Sequence, residues 1–101
     1  MKIDFTGKTV LVTGASGGIG RAICLAFSKT NAVIHAHYKS NKKEAEKTIQ
    51  LLSSKNHYLH QGDLSKPSDV EKMIDKILFF PDIPLYSFIN PKTSHIKYVF
   101  I

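Results

Sequence analysis

A short apolar run that ends in a glycine-rich turn and passes straight into a helical pattern sets most of what this chain can become. Residues Thr9 to Thr13 (Thr-Val-Leu-Val-Thr) are apolar or β-branched at every position, without alternation, which is how a strand covered on both faces reads. The turn that follows is Thr13-Gly14-Ala15-Ser16-Gly17-Gly18-Ile19-Gly20. Beyond it, Ile19, Ile23, Ala26 and Phe27 recur at helical spacing, and Asn31 stands where a left-handed C-terminal cap is wanted.

A strand that turns directly into a helix leaves the first N–H groups of that helix without intrahelical partners, at the positive end of its dipole. A phosphate or pyrophosphate fits such a place. Gly14 permits the tight turn, Gly17 or Gly18 allows phosphates to approach the backbone, and Gly20 lets the helix pack closely; Ser16 adds a hydroxyl donor. Glycine-rich strings also occur in ordinary loops, so the flanking elements decide the reading.

Those elements repeat. Ala32 to Tyr38 reads as a second strand, with Val33, His35 and His37 on one face and Ile34, Ala36 and Tyr38 on the other. Asn41 and Glu44 form a capping-box spacing for a helix whose Ala45, Ile49 and Leu52 share a face. His57 to Gln61 is a third strand. A helix opening between Ser65 and Pro67 runs to about Leu78 on Val70, Met73, Ile74, Ile77 and Leu78. Strand and helix in alternation give βαβ units with right-handed crossovers. The expected fold is therefore α/β, a Rossmann-like parallel sheet present as a truncated half of three or four strands with three helices. Residues 1–79 form the expected nucleotide-binding half-domain. Residues 80–101 form a divergent tail, punctuated by Pro81, Pro84 and Pro91 and without helical period, in which Leu85 to Asn90 is the candidate fourth strand.

Composition narrows the function classes. The 101 residues are 43% hydrophobic and 22% charged, the profile of one small globular domain. The net charge of +6 raises nucleic-acid binding, but the densest lysines (Lys39, Lys42, Lys43, then Lys92 and Lys97) lack the interleaved aromatics of a base-stacking surface. No nucleic-acid partner is expected. No apolar stretch has the length of a signal peptide or membrane span, and the one cysteine, Cys24, sits at a buried helical position; a cytoplasmic setting is the expectation. Two strands carry His35, His37, His57 and His60 without a third ligand at metal spacing or a thiolate motif, so they read as partly buried imidazoles and no metal is expected.

The spacing Thr13-Gly14-x-x-x-Gly18-x-Gly20 resembles the short-chain dehydrogenase/reductase family, and other stretches agree with it. Phe5-Thr6-Gly7-Lys8 is similar to that family's entry into its first strand. Gly62-Asp63-Leu64 is similar to the segment holding its adenine-contacting aspartate. His37-Tyr38-Lys39-Ser40 with Glu44-Ala45-Glu46 resembles the 3-oxoacyl-carrier-protein reductase and glucose dehydrogenase branch. The resemblance runs from about Lys2 to Leu78. It implies a nicotinamide dinucleotide held by Gly14, Ser16, Gly17, Gly18, Ile19, Gly20, Tyr38, Lys39, Ser40, Asp63 and Leu64. With no acid among Tyr38 to Asn41 to accept from a ribose hydroxyl, and a cation and hydroxyl there instead, NADP is expected over NAD, although Gly17 stands where many NADP-preferring relatives carry Arg or Lys.

The resemblance also implies a catalytic Tyr-x-x-x-Lys, in which the lysine lowers the tyrosine pKa for proton exchange beside the nicotinamide. Tyr38-Lys39-Ser40-Asn41-Lys42 has that spacing but follows the second strand, at the adenosine end. The two ends of an extended dinucleotide lie on the order of 15 Å apart, against about 3 Å for proton transfer. No catalytic residue is therefore assigned. Asn90 aligns with the first residue of the family's Asn-Asn-Ala-Gly, which Pro91 to Thr93 do not continue, and the helices that form the family's oligomer interface have no counterpart. Two readings follow: the cofactor-binding portion of a reductase, truncated or frame-shifted and inactive alone, or a stand-alone nucleotide-binding module. With three helices for three or four strands, apolar surface is expected to stay exposed.

Overall fold

The computed structural model describes residues 3–53, 56–78 and 98–100. They form four parallel strands and three helices: β1 (Thr9–Val12), α1 (Gly18–Ser28), β2 (Val33–Tyr38), α2 (Lys42–Gln50), β3 (Tyr58–Gln61), α3 (Pro67–Leu78) and β4 (Tyr98–Phe100). The sheet order is β3-β2-β1-β4. This is the Rossmann-like half expected from the alternation of patterns, with the order of the doubly wound sheets. Residues Leu85 to Asn90, the candidate fourth strand, lie outside the described residues. The described strand beside β1 is β4, which pairs Thr9 with Tyr98, Val10 with Val99 and Leu11 with Phe100.

All four residues of β1 are buried because the strand feeds two layers. Val10 and Val12 join Ala15, Cys24, Ala32, Ile34, Ala36 and Leu52 in the core beneath α1 and α2. Leu11 points the other way, to Met73 and Ile77 of α3. Among the described residues the α3 layer is the thinner. Burying a single Ile or Met side chain contributes about 1.5–3 kcal/mol, so α3 rests on very few such contributions. No helix among the described residues is long and apolar enough to cross a membrane.

The phase of α1 differs from the apolar stripe read in the sequence. Ile19 is 81% exposed and Ala26 also faces outward, while Gly20, Cys24 and Ser28 are the buried row. The i, i+4, i+8 line of small side chains brings the helix axis close to the glycine turn, and Ile23 and Phe27 flank it half-buried. Asn31 has φ 68°, the left-handed residue expected after the helix.

The histidines are buried more completely than expected. Register places His35 level with Leu11 and Tyr58, and His37 level with His60, so these rings share the α3 face of the sheet. His35 and His60 are hydrogen-bonded at 2.7 Å, and His35 stacks on both His60 and Tyr58 with ring centroids 4.9 Å apart. No group of three or more metal-ligating side chains occurs among the described residues. Burial, with His60 and His57 nearby, pushes the His35 pKa down from 6.5 to about 3, and burial lowers those of His57 and His60.

These shifts fix the sign of the pH dependence. Below pH 6.5 the unfolded chain takes up protons that the folded chain refuses, so the stabilisation is complete above that value and is lost as pH falls toward 3. Each such site contributes a slope of about 1.4 kcal/mol per pH unit. Urea unfolding at pH 7.5 and 5.5 is expected to show a loss of at least about 1 kcal/mol at the lower pH. His35→Phe should flatten that dependence.

Candidate functional site

The site is built around the passage from β1 into α1. Gly14 (φ 66°) and Gly18 (φ 56°) take left-handed conformations, and Gly17, the N-cap of α1, is extended. No side chain caps this helix and no acid occupies its first turn, so its positive end faces outward. Gly20 answers a different requirement. A Cβ there would collide with the Gly14 carbonyl oxygen and stand 2.7 Å from the Gly14 carbonyl carbon. The first turn of the helix therefore rests on the turn's own backbone.

The inner side of the turn is tied to its neighbours group by group. The Ala15 N–H donates to the His37 carbonyl (2.8 Å), and the Gly14 N–H donates to His37 Nδ1 (3.1 Å). The Ala15 carbonyl accepts from the Thr48 hydroxyl of α2 (2.6 Å), and the Ser16 carbonyl accepts from Arg21 Nη2 (3.1 Å). Arg21 also donates through Nε to Thr48 Oγ1 (2.9 Å) and through Nη2 to the Glu44 carboxylate (3.0 Å). Two carbonyls that would repel an anion are thus turned into the protein. Thr48 is wholly buried, so an unmade hydrogen bond there would cost about 1–3 kcal/mol.

Sequence reasoning missed Arg21 and Thr48, and it assigned Glu44 only a capping role. The Asn41 side chain does cap α2, accepting from the Glu44 N–H at 3.2 Å, but the Glu44 carboxylate reaches Arg21 and Lys47 (3.1 Å). Hydrogen bonds from Arg21 and Lys47 lower its pKa. The one available signal was Arg21 directly after the glycine string, with an acid and a hydroxyl four residues apart on the next helix.

The second half of the expected site lies at the carboxyl ends of β2 and β3. Tyr38 is buried at 5% exposure, and Lys39 and Ser40 are exposed just beyond it. Lys39, Ser40, Gly62 and Asp63 line one cleft of about 830 Å³, into which Lys72 and Lys76 of α3 also face. The glycine turn is not among its walls. Asp63 Oδ1 accepts from the Ser65 N–H (2.9 Å) and hydroxyl (2.7 Å), bonds that lower its pKa, and Leu64 is 46% exposed. Tyr38 ends β2 whereas Lys42 begins α2 and lies 3.9 Å from Glu46, so the two sit on different elements.

The family described as short chain dehydrogenase matches residues 8–79. The chain is 36% identical over 78 residues to the short-chain dehydrogenase/reductase homolog YusS of Bacillus subtilis, covering 75% of this chain and 72% of that protein. It is 32% identical to glucose 1-dehydrogenase 2 of the same organism, over 74% of this chain and 30% of the relative. Among solved structures, the angucycline C-6 ketoreductase LanV with bound NADP superposes with a TM-score of 0.65 at 28% identity, covering 90% of this chain and 33% of that one. A dehydrogenase/reductase from Sinorhizobium meliloti superposes at 0.72 and 24% identity, a likeness of fold, over 76% of this chain and 31% of the other. The chain belongs to the short-chain dehydrogenase/reductase family.

As a short-chain dehydrogenase/reductase it carries the fold of a family of oxidoreductases that bind NAD(P). It spans about 30% of the length of the glucose dehydrogenase and of these solved relatives. The match ends at residue 79, so it covers β1 to α3 and leaves β4 outside.

The contrast between Gly20 and Gly17 is testable by stability. Gly20→Ala would force the helix off a backbone that cannot swing aside, and overpacking of that kind costs about 1–3 kcal/mol. At Gly17 a Cβ meets nothing and φ is 172°, so Gly17→Ala should stay within about 0.5 kcal/mol of wild type. Urea unfolding of both variants gives the comparison.

Proposed function

We propose that this chain is the nucleotide-binding portion of an NADP(H)-dependent short-chain dehydrogenase/reductase that acts on a carbonyl or alcohol substrate in the manner of the 3-oxoacyl reductases. The observation that carries the cofactor choice is the end of β2. Lys39 and Ser40 are exposed there beside Asp63 in one cleft, and no acid stands among Tyr38 to Asn41 to accept from a free ribose hydroxyl. A 2′-phosphate would meet a cation and a hydroxyl donor. The NADP bound to LanV, and the NADPH dependence named for a pterin aldehyde reductase of Arabidopsis thaliana with 35% identity, support the same choice.

In this reading the residues divide the ligand between them. Gly14, Ser16, Gly17, Gly18 and Ile19 face the pyrophosphate, with Gly20 seating the helix behind them. Lys39 and Ser40 stand at the ribose 2′ position with Tyr38 buried behind them, and Asp63 and Leu64 stand by the adenine. The open space at Gly14, Gly17 and Gly18 and the carbonyls drawn inward by Thr48 and Arg21 fit an anion on the turn. When bound, the nicotinamide supplies or accepts the hydride. None of the three described helices holds a tyrosine, so the role proposed for these residues is binding and orientation of the cofactor.

One observation favours a stand-alone module as the second reading. The 78 residues matched to YusS make up 72% of that protein, so a relative of similar length exists. A cooperative thermal transition that rises with NADPH is the result that reading requires.

Calorimetric titration separates the cofactors. NADPH is expected to bind more tightly than NADH, and the reverse order would overturn the assignment of Lys39 and Ser40. Lys39→Glu should weaken NADPH by roughly tenfold, about 1.4 kcal/mol, and leave NADH nearly unchanged. Gly17→Arg, at a position with room for a side chain and extended backbone, should strengthen NADPH binding by supplying a second cation.

A further inference from the structure

We propose that His37 is a positioning residue for the dinucleotide: as the neutral Nε2–H tautomer, its ring couples the glycine turn to the Gly62–Asp63 segment. The inference rests on the reading of this site as a dinucleotide site. It adds a residue that touches neither half of the ligand and holds both.

The bonds leave one assignment. The Gly14 N–H is a donor, so His37 Nδ1, 3.1 Å away, must present its lone pair. The Gly62 carbonyl is an acceptor, so His37 Nε2, 2.8 Å away, must carry the proton. A charged ring would aim a second hydrogen at the Gly14 N–H, and the other tautomer would break both bonds. The ring is only 3% exposed, so both of its nitrogens are largely shielded from water.

The position of the ring explains why this matters for the ligand. The register between β1 and β2 ends at Val12 and Ala36, and the chain then leaves the sheet for the turn. His37 takes the next two donors itself, Ala15 N–H on its carbonyl and Gly14 N–H on its ring. On its other side Gly62 is held twice, its N–H by the Tyr38 carbonyl (3.1 Å) and its carbonyl by His37 Nε2. The pyrophosphate side and the adenine side of the proposed site are therefore joined through one imidazole. A displacement of either end moves the ring that holds the other.

The test uses the whole chain. Nitrogen-15 NMR of the unchanged protein is expected to show His37 Nδ1 as an unprotonated acceptor nitrogen and Nε2 as protonated; a charged ring or an Nδ1–H tautomer overturns the proposal. By calorimetry, His37→Phe, which removes both bonds, should weaken NADPH binding about tenfold or more. His37→Asn, whose amide oxygen can still accept from Gly14 N–H, should recover part of that loss. If H37F is folded by circular dichroism and binds NADPH within about twofold of wild type, the positioning role falls while the dinucleotide reading stands. If the unchanged chain binds neither NADPH nor NADH, the dinucleotide reading falls and takes this inference with it. Should H37F fail to fold, the tautomer and the H37N affinity decide.

Discussion

The constraint on which the rest depends is the contact between Gly20 and the peptide joining Gly14 to Ala15, where no side chain can be accommodated. It brings the first turn of α1 down onto the loop that leaves β1, and the row Gly20, Cys24, Ser28 continues that close approach along the helix. From there the orientation of the turn follows. With the helix seated, the Ala15 and Ser16 carbonyls fall within reach of Thr48 and Arg21, and α2 docks through the same residues. Those two carbonyls are left facing inward and the uncapped N-terminus of α1 outward, the polarity an anion requires. The shape of the turn is thus a packing result before it is an electrostatic one.

What the sequence disclosed was local. The unbroken run Thr9 to Thr13 reads as doubly covered, and its Thr9 to Val12 are buried because the two faces feed two layers; Asn31 and Asn41 are legible because a left-handed cap and an N-cap need only their own neighbours. The apolar spacing of α1 points to a stripe through Ile19 and Ala26, whereas Gly20 and Cys24, legible singly as a close-packing and a buried position, set the phase together with Ser28. Ile19 is apolar yet 81% exposed, set outward by the depth to which Gly20 sinks. Arg21 and Thr48 were invisible for a related reason, since their partners lie 27 and 33 positions away and meet only when two helices pack on one loop. β4 escaped as well: three residues carry no period, and Tyr98 to Phe100 are a strand only by pairing with β1.

The polar content of the α3 face is the least expected part of the architecture. A strand covered on both sides is ordinarily apolar throughout, yet β2 and β3 place His35, His37 and His60 among buried positions. The register explains how this is tolerated: His35 lies level with Tyr58 and stacks on it, bonds to His60 two residues further along the same face, and His37 bonds to the backbone of Gly14 and Gly62. Burial favours the neutral rings of His35 and His60, which ties the thin α3 layer to pH in a way a Val or Ile at the same sites would not.

Tyr38 and Lys42 show why spacing alone does not make a catalytic pair. In a helix, residues four apart share a face and a lysine can act on a tyrosine directly. Here the same interval spans the end of a strand, two exposed loop residues and the cap of α2, so Tyr38 is sealed at 5% exposure while Lys42 turns toward Glu46. The segment that mimics the catalytic signature is instead the one whose backbone fixes both halves of the site: the Tyr38 carbonyl holds Gly62, the Lys39 carbonyl accepts from Gln61, and Asn41 opens the helix that brings Thr48 to the turn. Its role in the fold is that of a scaffold, and Lys39 gains its proposed meaning from where the strand ends rather than from the tyrosine before it.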